Sequence, residues 1–137
     1  LTRIQNAVNK NVILLYRLAE DHRNFALGVS NSEWRQIISR LYYAAYNSRR
    51  ALTLACDGAF STDSSDHQRV DSLPDDFQNR NTFSNKIKNL REDRNLCDYS
   101  HLAEESDLMI SVQEAKTVVV DFMSEVSLYL TAKGVAL

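Results

Sequence analysis

Glycine and proline are scarce in this chain, with three glycines and one proline in 137 residues. Sandwiches and barrels turn tightly and often, and their turns are rich in both residues. Their shortage argues for long helices with few connections. No run approaches the ~20 apolar residues of a membrane span, and nothing reads as a signal peptide. The chain opens on Leu1 rather than methionine, which leaves room for a leader, tag or neighbouring domain ahead of it. Two cysteines, Cys56 and Cys97, fall in separate helical patterns. They read as reduced packing thiols, which favours a cytoplasmic location. No Cys/His/carboxylate cluster has zinc spacing, and His22 and His67 stand alone, so neither metal nor cofactor is expected. A glycine-rich phosphate loop and a serine nucleophile motif are also missing, which removes those routes to nucleotide hydrolysis.

What is present is an ordinary globular balance, 44% hydrophobic and 25% charged, enough for one domain over residues 1–137 with one core. A net charge of −2 counts against bulk nonspecific nucleic-acid binding. The charge is uneven, however. Arg35, Arg40, Arg49 and Arg50 outweigh Glu33 in one segment, and Lys86, Lys88, Arg91 and Arg94 outweigh Glu92 and Asp93 in another. Acid gathers in the stretches 57–76 and 104–107.

Helical spacing recurs along the chain. Ile4, Val8, Val12, Leu15 and Ala19 mark a first helix over 3–27, with Gly28 at its stop. Ser30 and Glu33 offer a capping box for a second helix that reaches about Cys56, with Trp34, Ile38, Leu41, Ala45, Leu52 and Ala55 inward. Residues 59–66 read as a polar surface loop, and His67–Leu73 as a short helical piece before Pro74. A further helix runs from about Thr82 to Tyr99. No glycine or proline marks its end, so its extension through His101 stays open. Ser111 and Glu114 form a second capping box, and Ala115, Val118, Phe122, Val126 and Tyr129 the stripe of a last helix. The expected fold is all-α, an antiparallel four-helix up-and-down bundle with one extra short helix.

Within the row Phe83, Ile87, Leu90, Arg94, Cys97, one residue does not belong by polarity. Arg94 falls within roughly 20° of the apolar stripe at ~100° per residue, and arginine is rarely buried without a partner. Either Asp98, one turn on, neutralises it inside the fold, or the row is a seam that meets a second subunit or an anionic ligand. Arg94 and His101, seven apart, would point the same way on a continuous helix. A guanidinium suits a phosphate and a histidine moves protons near neutral pH. Together they suit ribose-phosphate cleavage. Tyr42, Tyr43 and Tyr46 with Arg49 and Arg50 either stack bases and hold phosphates or bury their rings in the bundle. Burial, with the hydroxyls tipped to water, is the favoured reading.

The stretch Ser39-Arg40-Leu41-Tyr42-Tyr43-Ala44-Ala45-Tyr46-Asn47-Ser48-Arg49-Arg50-Ala51-Leu52 resembles the second-helix signature of HEPN domains, which are small helical bundles. Leu90-x3-Arg94-x3-Asp98-Tyr99 is similar to that family's later landmark, and Arg94-Asn95-x5-His101 to the longest form of its ribonuclease motif. The resemblance covers roughly residues 5–132. It implies a homodimer whose two motifs face one composite cleft and cut single-stranded RNA without metal through the RNA 2′-hydroxyl. Arg94 and His101 would be catalytic, with Arg91, Asn95, Asp98 and Tyr99 supporting or holding RNA, in a toxin or defence role. Relatives with the Asp-Tyr pattern and no histidine serve instead as silent interaction domains that partner small nucleotidyltransferases, the antitoxins of such pairs. A nucleotide-binding sensor is a third reading.

Overall fold

A computed structural model describes residues 2–58 and 64–137. Among these, four α-helices, α1 (Arg3–Gly28), α2 (Trp34–Asp57), α3 (Arg80–Tyr99) and α4 (Val112–Ala132), form the all-α bundle that the spacing predicts. Two short 3-10 segments, Ser64–Arg69 and Glu105–Asp107, sit in the connections. Part of the predicted loop, residues 59–63, lies outside the described residues.

The central helix is α2, which packs against each of the other three. Ile37, Ile38, Leu41, Ala44, Ala45, Ala51 and Leu52 are buried, and so are Tyr42, Tyr46, Asn47, Ser48 and Arg49. A helix buried on most of its circumference must be covered all round, and single-stripe reasoning finds only part of it. Trp34 and Ala55, expected inward, are half-buried at the rim. Gly58 ends α2 in the left-handed region (φ 73°), and its N–H donates to the Leu54 carbonyl. The Ser30–Glu33 capping box does not form. Glu33 is itself the N-cap, without a side-chain cap bond, and Ser30 closes a tight turn one step earlier.

On α1, Val12 and Ala19 are buried as expected, but Ile4 is 78% exposed and Tyr16 and Ala26 complete the inward stripe. Tyr16 is accepted in the core because its hydroxyl donates to the Met123 carbonyl of α4 at 3.0 Å. On α4, Ala115, Phe122 and Val126 are joined inside by Val119, Met123 and Leu130, while Val118 and Tyr129 lie at the rim. Ser111 caps α4 by accepting from Glu114 N at 3.0 Å. The Glu114 carboxylate does not complete the box; it pairs with Lys86 of α3. Gly134 (φ 91°) closes the helix, with Val135 N donating to the Leu130 carbonyl and Gly134 N to that of Thr131.

The predicted short helix is displaced, to Ser64–Arg69. Asp66, in the stretch read as a surface loop, is buried. Its carboxylate pairs with Arg49 at 2.9 Å and accepts from the Tyr46 hydroxyl at 3.2 Å, which is what lets an acid sit inside. Val70, Leu73 and Phe77 then pin the connection to the core.

Helix α3 stops at Tyr99. Ser100 is extended (φ −100°, ψ 104°), and the cause is tertiary. Arg35 of α2 donates to the Cys97 and Ala103 carbonyls, both at 2.8 Å, so it caps the helix end and holds the reversal that follows. Asp93, also buried, accepts from Met109 N at 2.8 Å and Ile110 N at 3.1 Å. It ties the α3–α4 connection down even though burial pushes its carboxyl above the usual range. Replacing Asp93 by Ala strands buried backbone donors. Urea unfolding should show a loss of about 2 kcal/mol, and equal midpoints for the two proteins would refute this anchoring.

Candidate functional site

The row Phe83, Ile87, Leu90, Arg94, Cys97 is buried within a single chain. It is core rather than an open seam. Burial pushes the Cys97 thiol up to about 12, so this packing thiol is unreactive. Cys56 is also a free thiol but lies exposed rather than packed, 3.6 Å from the Tyr129 hydroxyl.

Arg94 is 7% exposed. Its guanidinium carbon lies 4.6 Å from the centre of the Tyr42 ring and 5.8 Å from that of Tyr43, and aromatic faces stabilise a desolvated guanidinium. The Asp98 partnership is loose: Nη1 is 3.8 Å from Oδ2, beyond hydrogen-bond length. Asp98 also meets the Ser39 hydroxyl at 3.5 Å. Among the described residues, the buried Nε of Arg94 has no hydrogen-bond partner, and neither does that of Arg91.

These arginines border a cleft of about 740 Å³ lined by His67, Gln68, Arg91, Arg94, Asn95 and Tyr99, a volume in the range of ligand sites. Arg91 reaches Glu92 at 2.8 Å, and Tyr99 stands exposed at the rim. Four of the six residues singled out in the sequence thus meet at one place. Asp98 lies against Arg94, one turn beyond it. His101 is not among the lining residues. It follows the end of α3 in a turn and is exposed, so the shared helical face expected for Arg94 and His101 ends at Tyr99.

The histidine that lines the cleft is His67. Its Nδ1 is 2.6 Å from the Tyr42 hydroxyl, and its ring stacks on Tyr46 at 4.1 Å between centres. The Arg49–Asp66 pair beside it fixes the 3-10 segment to α2. Burial, then the charges of Arg94 and Arg50, hold the His67 imidazolium below the ordinary histidine value of 6.5, against the pull of Asp66. Burial also raises Tyr42 and Tyr46, which stay protonated. Sequence reasoning missed His67 as an isolated histidine. Tyr42, Tyr46 and Arg49 at four- and three-residue steps are the signal that α2 presents a polar-tipped row to something. Asp66-His67 is that something.

His22 lies apart, 3.3 Å from Arg40 Nη1, and is likewise held below its usual value, first by burial and then by Arg40. Among the described residues, no group of three His, Cys, Asp or Glu side chains is arranged to hold a metal ion. No helix there is long and apolar enough to cross a membrane. Comparison with family models, curated proteins and solved structures yields no match.

Two outcomes follow from this geometry. Asp98→Ala should lower stability by only about 0–1 kcal/mol, as for a partly exposed pair. A loss of several kcal/mol in denaturant unfolding would reveal a tight buried pair. For the histidines, a lowered folded pKa means the native state binds fewer protons than the unfolded chain. Stability is therefore greatest above 6.5 and declines as pH falls below it toward the folded values. Thermal melts at pH 7.5 and 5.5 should show this decline, and it should be smaller in His67→Gln.

Proposed function

We propose that this cleft takes the phosphodiester backbone of single-stranded RNA and that the chain is a HEPN-like, metal-independent endoribonuclease of toxin or defence type, acting in the cytoplasm as a homodimer. The observation that carries the reading is the Arg94 guanidinium. It is held against Tyr42 at 4.6 Å, lies 3.8 Å from its nearest carboxylate oxygen, and borders a cleft shared with Arg91 and Asn95. A buried arginine with donor capacity to spare suits a phosphate oxygen. Arg94 binds and polarises the scissile phosphate, Asn95 and Arg91 contact the backbone, and Tyr99 offers a ring for a base. The RNA 2′-hydroxyl attacks phosphorus, so the O2′–P bond forms as the P–O5′ bond breaks, giving a 2′,3′-cyclic phosphate. The proton it loses goes to His101, which stands exposed on the turn after α3, and the departing 5′-oxygen takes a proton to leave as a hydroxyl. Pairing of two chains is what brings that turn and the cleft together.

A second reading is favoured by a specific feature. Tyr99 at the end of α3 and Leu102 and Met109 in the α3–α4 connection are all strongly exposed, Leu102 at 80%. Apolar side chains left uncovered there suit a silent interaction domain docking on a small nucleotidyltransferase. A nucleotide-binding sensor would use the same cleft without cutting.

Purified protein should cut single-stranded RNA in EDTA, leave 2′,3′-cyclic or 3′-phosphate ends, and spare DNA. Arg94→Ala and His101→Ala should each lower the rate by about 10²–10⁴-fold while circular dichroism shows the fold intact. Light scattering should report a dimer. If wild type and both variants cut at one slow common rate, the activity belongs to a contaminant and the interaction-domain reading stands.

A further inference from the structure

His67 plays no part in the reaction just described, yet it lines the cleft beside Arg94. Its ring is fixed on three sides. Tyr46 stacks on it at 4.1 Å, Tyr42 lies at 5.7 Å and tilted by 29°, and Tyr43 stands edge-on at 6.2 Å. With Nδ1 engaged by Tyr42 at 2.6 Å, the nitrogen left for a ligand is Nε2.

The proton on that nitrogen can be assigned from the surrounding network. Tyr42 is fully buried, and burial keeps its hydroxyl protonated. A buried O–H that does not donate costs free energy. Arg94, whose guanidinium carbon lies 4.6 Å from the Tyr42 ring centre, can only donate and so offers that O–H no acceptor. The remaining acceptor is His67 Nδ1. Tyr42 therefore donates to Nδ1, and the neutral imidazole carries its own proton on Nε2. The Asp66 carboxylate is directed to α2 instead, with one oxygen accepting from Arg49 and the other from Tyr46.

Resting on the RNA reading above, we propose that His67 is a second ligand for the bound phosphate: a neutral imidazole whose Nε2–H, set by Tyr42, donates to a phosphate oxygen of the nucleic-acid backbone opposite Arg94. A neutral donor adds a hydrogen bond without placing another positive charge against Arg94. The unpartnered Nε of Arg94, on a side chain 7% exposed, independently marks the same wall as short of an acceptor. His67 is a binding residue here, and Tyr42 a positioning residue that acts through it.

The test uses protein labelled with ¹⁵N in histidine and arginine side chains, titrated at pH 7 with an uncleavable 2′-O-methyl oligonucleotide and, separately, with inorganic phosphate. Free protein should show His67 as the Nε2–H tautomer, and Tyr42→Phe should lose that preference. The oligonucleotide should shift His67 Nε2 together with Arg94 Nε. His67→Ala should weaken binding by about 10- to 100-fold, the loss of one hydrogen bond to a charged group. His67→Gln, which keeps a donor, should recover part of it. An Nδ1–H tautomer in the free protein overturns the proposal. So does an oligonucleotide that moves Arg94 and leaves His67 unmoved, although the cleft reading then survives. If neither moves, both readings fall. Binding of inorganic phosphate but not the oligonucleotide would make this a free-phosphate site and overturn the backbone assignment.

Discussion

Holding the Arg94 charge against the Tyr42 ring is the constraint on which this end of the bundle depends. A guanidinium on α3 keeps its place over an aromatic face only if that face cannot turn. Tyr42 is therefore immobilised in depth, its ring buried in α2 and its hydroxyl bonded to His67. His67 in turn is stacked on Tyr46, and its segment is anchored by Asp66 to Arg49. The two buried arginines show different solutions to the same problem. Arg49 has a carboxylate at 2.9 Å that compensates its charge within the fold, so its role is structural. Arg94 has π-faces and a carboxylate at 3.8 Å, which tolerate its charge without consuming its donors. The second arrangement leaves hydrogen-bonding capacity for something from outside.

The elements governed by local chemistry were legible in the sequence. The long helices and the Ser111 cap follow from spacing and from backbone preferences that act over a few residues. The end of α3 was not. No glycine or proline signals it, because Arg35, 62 residues from Cys97, supplies the capping donors. Asp93 counts in the sequence only toward the charge of its segment, yet it holds the loop 16 and 17 residues ahead. A helix end made by side chains from other elements leaves no mark within its own turn.

The site divides along the same line. Arg91, Arg94, Asn95 and Tyr99 lie within nine residues of one helix, which carries them to the cleft together. His67 reaches the cleft from a 3-10 segment whose position depends on a buried ion pair, and nothing near it in sequence says so. His101 errs the opposite way. It continues the periodicity in number, but the backbone has already left the helix at Ser100. Spacing arguments hold only as far as the element that carries them.

The overall charge and the cleft charge answer different questions. A net charge of −2 disfavours indiscriminate attraction of a polyanion. Inside the cleft the balance is local: two guanidinium groups, a neutral histidine, and acids that are paired elsewhere or held at a distance. An anion that enters meets the Arg94 charge where the protein screens it less than water does, whereas one that merely approaches the surface gains little. In the proposed reading, the burial of Arg94 is what would separate a phosphate seated in the cleft from one passing the surface. Moving that charge outward would strengthen long-range attraction and remove this difference.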